Sequence, residues 1–291
     1  MQIVIIGDTF PPMKTSGAVM LKDLADEFIA QGDLVSIVIP SSHQVEPVLK
    51  REGEGLSVYQ VKAFKTKDVP YVKRLLSEFI NPYLMWMRLK KCDSFSNNVV
   101  DLVIWYSPSI FWGPLVARIK KKWKCSSYLI LRDIFPDWAI DLGLIGRLNP
   151  VTLFLKAVAS YQYRQANIIG TQSPNNQSYL IHNHPALGSK VRVLWNWMGA
   201  QERHEKCSIR ISETSLDGKA VFVYAGNIGV AQGVDMFLRI IRAFEGYDNI
   251  GFLFVGRGSE MNDLQQKVIE NKLKNVLFSP EIPSEQIGDL Y

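Results

Sequence analysis

The sequence predicts an α/β protein with two Rossmann-like domains in tandem, the second of them incomplete. Residues 2–6 and 221–225 are short apolar runs, and each leads through a glycine into a long amphipathic stretch. A strand, a glycine-containing turn and a helix form the opening unit of a nucleotide-binding α/β domain. The later strands alternate with helices of about 10–15 residues, which indicates parallel sheets joined by right-handed crossovers.

The length is compatible with two domains, because 291 residues exceed the roughly 150 that one domain typically needs. We place an N-terminal domain over residues 1–200, a linker over 201–218 and part of a C-terminal domain over 219–291. A doubly wound sheet needs more strands than the last of these segments can provide. We therefore expect the second domain to be cut short.

Apolar periodicity orders the elements of both domains. Strands are expected at residues 2–6, 34–39, 57–61, 101–106, 127–131, 167–171 and 191–194, and then at 221–225, 250–255 and 275–278. Helices are expected at residues 17–30, 71–91, 114–123, 150–165, 232–244 and 259–272. Pro82 should kink or divide the second helix, since proline removes a helical hydrogen bond. Residues 41–56 are polar and are interpreted as a loop.

The composition is that of an ordinary folded protein, with 47% apolar and 21% charged residues. The charge is unevenly distributed along the chain. Residues 1–200 carry 23 Lys and Arg against 15 Asp and Glu, whereas residues 201–291 carry 10 against 13. A basic first half suggests a polyanionic neighbour, either lipid headgroups or nucleic acid.

Several classes of protein are not supported. Cys92, Cys125 and Cys207 are widely spaced and include no C-x-x-C pair, so neither a disulfide framework nor a zinc site is expected. The four histidines form no ligand pattern, and no metal is expected. The N-terminus has no signal-peptide character, and no apolar run reaches the ~18 residues that a spanning helix needs. A reducing, cytoplasmic location fits best.

The loop over residues 7–17 joins the first strand to the first helix. It lacks the G-x-G-x-x-G spacing, so a dinucleotide site is not predicted. Ser16 and Gly17 stand at the helix entry, where small residues let a phosphate or an acidic sugar approach backbone N–H groups. The alternative is a simple helix cap and turn.

Arg132 and Asp133 follow a predicted strand directly. Open α/β sheets bind their ligands just beyond the carboxyl ends of the strands, so Asp133 is the candidate catalytic residue. Pro136 suits the first turn of a helix. Asp133 could therefore merely cap that helix, and the sequence position alone does not separate the two interpretations.

The second domain contains two glycine turns at the same edge of its predicted sheet. The first turn carries Gly226, Asn227, Gly229 and Gln232, and the second carries Gly256 and Arg257. Backbone N–H groups and a helix dipole at such turns suit a diphosphate. The alternative is that both turns are only structural.

Two basic and aromatic segments, residues 71–91 and 118–124, predict a helical face at a membrane interface. Aromatic residues beside cations are typical of helices that lie in the headgroup region of an anionic leaflet. The alternative is a core helix with solvated ends. The residues assigned to the membrane are Lys73, Arg74, Trp86, Arg88, Lys90, Lys91, Lys120, Lys121, Lys122, Trp123 and Lys124.

The chain resembles family 4 of the glycosyltransferases, which have the two-domain GT-B architecture, and within it the O-antigen and capsule N-acetyl-fucosamine transferases. The resemblance covers essentially all 291 residues. It is carried by Ile104-Trp-Tyr-Ser-Pro-Ser-Ile-Phe-Trp-Gly113, Leu131-Arg-Asp-Ile-Phe-Pro-Asp-Trp138, Val193-Leu-Trp-Asn-Trp197, Tyr224-Ala-Gly-Asn-Ile-Gly229 and Phe254-Val-Gly-Arg-Gly258.

The resemblance implies transfer of a sugar, in particular an N-acetylated deoxysugar, from a UDP-sugar to a polyprenyl-diphosphate-linked acceptor. The partners it implies are the nucleotide-sugar donor, a lipid-linked glycan and an anionic membrane surface, with no nucleic acid and no metal or other cofactor. It implies a peripheral position on the cytoplasmic face of the membrane. Asp133 would lie beside the reacting centre, Ser16 and Gly17 near donor phosphate or acceptor, the 226–232 turn at the diphosphate, and Ile282 near the base.

Two departures from the family pattern leave alternatives open. Asn227 and Gln232 stand where family members often have Arg and Lys. The family's E-x7-E pair would fall beyond Tyr291, so the chain is expected to be a weak catalyst, a membrane-docking subunit or one completed by a partner chain. A UDP-sugar epimerase shares the two-domain plan but needs no lipid acceptor. An NAD-dependent oxidoreductase would need the missing glycine fingerprint.

Overall fold

A computed structural model describes residues 1–13, 15–42, 48–51 (backbone only), 54–66, 68–197, 199, 206–229, 232–283 and 286–291. These residues form two compact units, Met1–Gly199 and Ala200–Tyr291. Within the described part of the chain, no helix is both long enough and apolar enough to cross a bilayer.

The first unit is built on an eight-stranded sheet with the order β3-β4-β2-β1-β5-β6-β7-β8. All neighbouring strands are parallel except β3, which runs antiparallel to β4. The strands are β1 (Gln2–Ile6), β2 (Leu34–Ser41), β3 (Val48–Arg51), β4 (Leu56–Lys62), β5 (Leu102–Tyr106), β6 (Ser126–Leu131), β7 (Ile168–Thr171) and β8 (Val191–Val193).

Helices cover both faces of this sheet, because successive side chains of each strand point to opposite sides. Val4 and Ile6 belong to one apolar cluster with α2, α4, α6 and α7, whereas Ile3 and Ile5 belong to a second cluster with α1. The helices are α1 (Ser16–Ala30), α2 (Tyr71–Leu89), α3 (Asp93–Ser96), α4 (Gly113–Trp123), α5 (Asp137–Asp141), α6 (Pro150–Gln165) and α7 (Pro174–Asn183).

One local prediction for this unit is wrong. Residues 48–51 form the edge strand β3 inside the segment interpreted as a loop, because backbone hydrogen bonds to β4 require no apolar pattern. Of the two outcomes predicted for Pro82, a kink or a division, division does not occur, since α2 continues through this buried proline. The neighbouring Asn81 side chain accepts from the Phe64 N–H at 2.7 Å and donates to the Phe64 carbonyl at 2.9 Å, which ties this part of α2 to the segment after β4.

The second unit contains a parallel three-stranded sheet with the order β11-β10-β9. Its strands are β9 (Ala220–Asn227), β10 (Ile250–Arg257) and β11 (Val276–Ser279), and its helices are α8 (Val234–Ala243), α9 (Met261–Glu270) and α10 (Ile287–Leu290). Leu216 is fully buried in a cluster with Leu253 and Val255. Residues 206–218 are therefore part of this unit and not a linker as predicted, whereas residues 201–205 lie outside the described part.

Candidate active site

The parallel strands of the first unit end at one edge, which we call the carboxyl edge, and a cleft lies there. Its volume is about 350 Å³. Its walls are formed by residues at the ends of β1, β2, β5 and β6, by the first turn of α1 and by the N-terminal half of α2. Ser16, Gly17, Arg132 and Asp133 all line this cleft, so four of the residues singled out in the sequence lie together.

Asp133 follows β6 by two residues and keeps an exposed side chain in the cleft. Although it is exposed, desolvation by the surrounding protein raises the pKa of its carboxyl above the usual value, and nearby Arg132 partly offsets this. No described residue hydrogen-bonds or ion-pairs with the carboxylate. Helix α5 has Pro136 at its N-cap and no side-chain cap bond, so Asp133 does not serve as the helix cap.

Arg132 is held by the last residue of the neighbouring strand. Its Nη1 atom donates to the Tyr106 hydroxyl at 2.8 Å and lies 2.9 Å from the Met20 sulfur. Burial raises the pKa of Tyr106, which keeps the hydroxyl neutral. Because no described carboxylate forms an ion pair with Arg132, the positive charge of its guanidinium is available to an anion in the cleft.

The entry of α1 lies against this pair. Thr15 caps the helix by accepting from the Ala18 N–H at 3.2 Å, and Ser16 is the exposed first residue. A Cβ atom on Gly17 would come within 3.1 Å of the Tyr106 ring. A glycine at this position therefore allows Tyr106, and through it Arg132, to pack against the helix entry.

Helix α2 contributes a charged face that the sequence did not assign to the cleft. Arg74, Glu78 and Asn81 all line the cleft, at positions i, i+4 and i+7 of the helix. The Arg74 Nε atom lies 2.8 Å from Glu78, and this hydrogen bond raises the pKa of Arg74. Arg74 is predicted to face a membrane, which stays a prediction, and the structure places it at the cleft beside Glu78.

The two tryptophans predicted at the membrane interface pack against the core. Trp86 and Trp123 are partly buried against the main cluster and meet edge-to-face with centroids 6.3 Å apart. The Trp123 indole also donates to the Asn98 carbonyl at 2.7 Å. An interfacial role for both residues stays a prediction, because a partly buried aromatic residue in a basic segment can be either an interfacial anchor or part of the core.

The other basic residues assigned to the membrane fall into two groups, of which the first bonds backbone carbonyls. Lys120 donates to the Gln165 carbonyl at 2.6 Å, and burial lowers its pKa. Lys122 donates to the Ser96 carbonyl at 2.6 Å and lies over the Trp123 ring. The remaining members are Arg88, which is half-buried, and the exposed residues Lys73, Lys90, Lys91, Lys121 and Lys124.

The second unit has a pocket of about 320 Å³ at the carboxyl ends of its strands. It brings together five of the predicted substrate-binding residues, namely Gly226, Asn227, Gly256, Arg257 and Ile282. Arg257 pairs with Glu281 at 3.1 Å, and both side chains are exposed. The pocket therefore offers one cation and several backbone groups to a ligand.

The glycines of the two turns are required by the close approach of β9 and β10. A Cβ atom on Gly256 would lie 2.0 Å from the Gly226 carbonyl oxygen, and the φ angle of Gly256 is +143°. Gly229 and Gln232 do not line the pocket. The Gly229 N–H donates to the Gln232 side chain at 3.0 Å, so Gln232 would have to move before that N–H could bind phosphate. Residues 230–231 lie outside the described part.

Sequence reasoning missed Tyr106, Glu78 and Asn81. Tyr106 could have been found, because it ends the strand beside β6 and the edge rule applies to every strand. Glu78 and Asn81 could not, since nothing in the sequence shows which face of α2 meets the cleft. Among the described residues, no group of three His, Cys, Asp or Glu side chains is placed to hold a metal ion.

Comparison with known proteins places the chain among glycosyltransferase relatives. No family model matches. The chain is 22% identical over 299 residues to WcaI of Escherichia coli K12, named as a colanic acid biosynthesis glycosyl transferase, which covers 96% of the chain and 72% of WcaI. It is 22% identical over 163 residues to the glycosyltransferase WbjE of Pseudomonas aeruginosa. That match spans 53% of the chain and only 39% of WbjE.

Solved structures agree on the fold. Sucrose-phosphate synthase from Thermosynechococcus elongatus superposes with a TM-score of 0.70 at 13% identity, over 100% of this chain and 73% of the other. HepE from Anabaena, solved with UDP and glucose, gives 0.58 at 13% identity over 99% and 71%. The predicted α/β, GT-B fold class is thereby confirmed, and the chain is related at low identity to bacterial glycosyltransferases.

Proposed function

We propose that the chain transfers a sugar from a UDP-sugar to a polyprenyl-diphosphate-linked acceptor during O-antigen or capsule assembly. The observation that carries the proposal is the carboxyl-edge cleft, where Asp133 has a raised pKa and no partner among the described residues, next to Arg132, for which the described residues include no ion-pair partner. The names of the two relatives support sugar transfer, and the UDP complex of HepE supports this class of donor. We further propose an N-acetylated deoxysugar as the transferred group.

Asp133 is the proposed proton acceptor or orienting group for the incoming hydroxyl. In the transfer, the acceptor oxygen forms a bond to the anomeric carbon, the bond from that carbon to UDP breaks, and the hydroxyl proton leaves. A carboxylate whose pKa is raised towards the working pH is a better base than an ordinary aspartate. Its lack of a described partner leaves its oxygens available to a hydroxyl group.

Arg132 and the start of α1 are the proposed phosphate contacts of the cleft. A fixed cation beside a helix N-terminus stabilises the negative charge of a bound anion without reorganisation. Tyr106 acts as a positioning residue, since it holds Arg132 at 2.8 Å. Ser16 and Gly17 would bring backbone N–H groups to the same anion.

The pocket of the second unit is the proposed donor site. Gly226 and Gly256 leave room for a diphosphate against the strand ends, and Ile282 would contact the base. Arg257 supplies a cation in this pocket, where Asn227 and Gln232 are neutral. No metal ion is required in this scheme.

We propose a cytoplasmic protein that associates peripherally with the inner face of the membrane. A lipid-linked acceptor remains in the bilayer, so an enzyme that uses it must work at the surface. The excess of Lys and Arg in the first 200 residues favours an anionic leaflet.

Transfer by the 291-residue chain from radiolabelled donors tests the proposal. The donors are UDP-N-acetyl-fucosamine, UDP-N-acetylglucosamine, UDP-glucose and UDP-galactose, each with a bacterial polar-lipid extract. Label moving into the lipid phase with release of UDP is expected for one of them. Absence of transfer from all four would overturn the proposal, and epimerisation of a donor without lipid would indicate the epimerase alternative.

A further inference from the structure

Asp137 is a buried carboxylate that the proposed reaction does not use. It is the first residue of α5, it is only 8% exposed, and it does not line the cleft. It belongs to the motif Leu131–Trp138 and follows Asp133 by four residues. Because a buried carboxylate is costly unless cations or hydrogen-bond donors compensate it, the partners of Asp137 indicate its role.

Two basic side chains from different helices compensate Asp137. The Lys156 ammonium of α6 lies 3.6 Å from its Oδ1 atom, and the Nε2 atom of His184, the C-cap residue of α7, lies 3.9 Å from its Oδ2 atom. Burial raises the pKa of Tyr163 and of Tyr179, and the charge of Asp137 adds to both shifts, so these neighbouring hydroxyls stay neutral. We call Asp137, Lys156 and His184 the α5 anchor.

The turn that carries Asp133 runs between two fixed points. At its start, Leu131 is held in the parallel ladder of β6 and β7. At its end, the α5 anchor ties the first residue of α5 to α6 and to the end of α7. Between these points, the Asp133 carbonyl accepts a long hydrogen bond of 3.5 Å from the Ser107 hydroxyl, and the Ile134 carbonyl accepts from the Trp138 N–H of α5 at 3.2 Å. A shift of α5 would therefore be passed on to the residue next to Asp133.

We propose that Asp137 is a positioning residue, which through the α5 anchor holds the Asp133 carboxylate at the place in the cleft where it meets the acceptor hydroxyl. Asp137 itself contacts no substrate in this scheme, because it does not line the cleft. A displacement of about 1 Å at a reacting group can cost roughly 100-fold in rate. The inference rests on the proposed function for the reaction, but the environment of Asp133 can be measured without any transfer.

The titration of Asp133 reports whether its turn is held. Desolvation by the surrounding protein raises the pKa of its carboxyl, and Arg132 partly offsets this. The other charged side chains that line the cleft are Asp8, Arg74 and Glu78. If the turn were released, more water would reach the Asp133 carboxylate, and its pKa would fall towards the ordinary value.

A carbon NMR titration of the full chain, labelled at the aspartate carboxyl groups, tests the proposal. The Asp133 signal is assigned by its loss in Asp133→Asn. The variant Asp137→Asn should move the titration midpoint of Asp133 to lower pH. It should also lower kcat for sugar transfer by about ten- to a hundredfold with little change in KM, since the substrates do not touch Asp137. An unchanged midpoint together with an unchanged kcat, in a variant with a lowered melting temperature, would show a purely structural role and overturn the proposal.

Asp141→Asn is the matched control. Asp141 is the last residue of the same helix and is also paired, since it accepts from the Tyr179 hydroxyl at 2.5 Å and lies 3.8 Å from Arg147. Its replacement loosens the end of α5 that is remote in sequence from Asp133, so the Asp133 midpoint and kcat should stay those of the unmodified chain. An equal effect of Asp137→Asn and Asp141→Asn on the Asp133 midpoint would overturn the proposal.

A double variant keeps Asp137 and removes its partners. Lys156→Gln with His184→Gln should also move the Asp133 midpoint to lower pH and lower kcat, because the α5 anchor is lost although the charge of Asp137 remains. A normal Asp133 titration in this double variant would overturn the proposal, whatever Asp137→Asn does. If circular dichroism shows Asp137→Asn to be unfolded, the double variant decides alone.

The two measurements distinguish failure of this inference from failure of the proposed function. Absence of transfer by the unmodified chain contradicts the proposed function, while a shifted Asp133 midpoint in Asp137→Asn would still support the α5 anchor. Transfer by the unmodified chain, with the same kcat and the same Asp133 midpoint in Asp137→Asn, would contradict the α5 anchor and leave the proposed function standing.

Discussion

The two edges of the first sheet use their charged residues in opposite ways. At the carboxyl edge, Asp133 and Arg132 have no ion-pair partner among the described residues, and they face a cleft. At the opposite, amino edge, Lys120 donates to the Gln165 carbonyl and Lys190 donates to the carbonyls of Tyr163 and Ala166. Within the described part of the chain, the cleft therefore keeps a carboxylate and a guanidinium without an ion-pair partner beside the Arg74–Glu78 pair, whereas the lysines of the amino edge bond backbone carbonyls.

The lysines of the amino edge have a clear structural role. They donate to carbonyls at the C-terminus of α6, where a cation also complements the helix dipole. Burial lowers the pKa of both Lys120 and Lys190, as expected for ammonium groups enclosed by protein. A basic sequence segment therefore does not by itself identify a binding surface.

The largest expected effect is on catalysis by Asp133. Asp133→Asn should lower sugar transfer by about 10²–10⁴-fold, the range for loss of a general base. The transfer assay with the active donor measures this, and Asp93→Asn, at an exposed aspartate outside the cleft, is the control. If Asp133→Asn changed the rate of sugar transfer by less than about threefold, the Asp133 side chain would have no part in the mechanism.

Removing the Trp123 ring, which packs against the core, should have a large effect on the stability of the fold. Trp123→Ala should lower the free energy of unfolding by about 3 kcal/mol, because it removes a ring packed against Trp86 and Phe95. Urea denaturation followed by circular dichroism measures this. If the variant were as stable as the unmodified chain but no longer bound vesicles, Trp123 would be an interfacial anchor as the sequence suggested.

Acidity should affect transfer through the carboxyl group of Asp133. The Asp133 pKa is raised, so its ionised form, which the proposed transfer requires, is lost as pH falls through that raised value. The sign for stability is opposite, because a raised carboxyl pKa stabilises the fold at low pH and costs stability as pH rises through it. Asp133→Asn should thus abolish the acidic limb of the pH–rate profile without lowering the melting temperature at neutral pH. A melting temperature below that of Asp93→Asn would contradict this.

A smaller effect is expected where the helix entry meets Tyr106. Gly17→Ala places a methyl group 3.1 Å from the Tyr106 ring, so the ring must shift by a few tenths of an ångström. Because Tyr106 holds Arg132, transfer should fall by about tenfold or less while the chain stays folded. Gly146→Ala, where a Cβ meets nothing within 4 Å, is the control. Equal activity of the two variants would show that the packing of Tyr106 does not matter.

The sequence was sufficient for the fold class and for the position of Arg132 and Asp133, because strand ends follow from apolar runs and parallel strands share an edge. It was not sufficient for the environment of side chains on helices. The segment around Trp86 is apolar nearly all round, so its periodicity does not say which face meets the core. Arg74 and Lys120 show the same limit, since only the tertiary fold decides whether a cation reaches a cleft or a carbonyl.

Neutralising one cation at the carboxyl edge should affect transfer activity, whereas neutralising one at the amino edge should affect thermal stability. Arg132→Gln should lose about a hundredfold in sugar transfer, the cost of removing one fixed electrostatic contact, with little change in melting temperature. Lys120→Gln should lower the melting temperature, because the Gln165 carbonyl loses one of its two donors and keeps only the Ser127 hydroxyl, and should leave transfer by the folded protein unchanged. Both variants are measured side by side. If Arg132→Gln kept full transfer activity while a stably folded Lys120→Gln lost it, the assignment of function to the carboxyl edge would be contradicted.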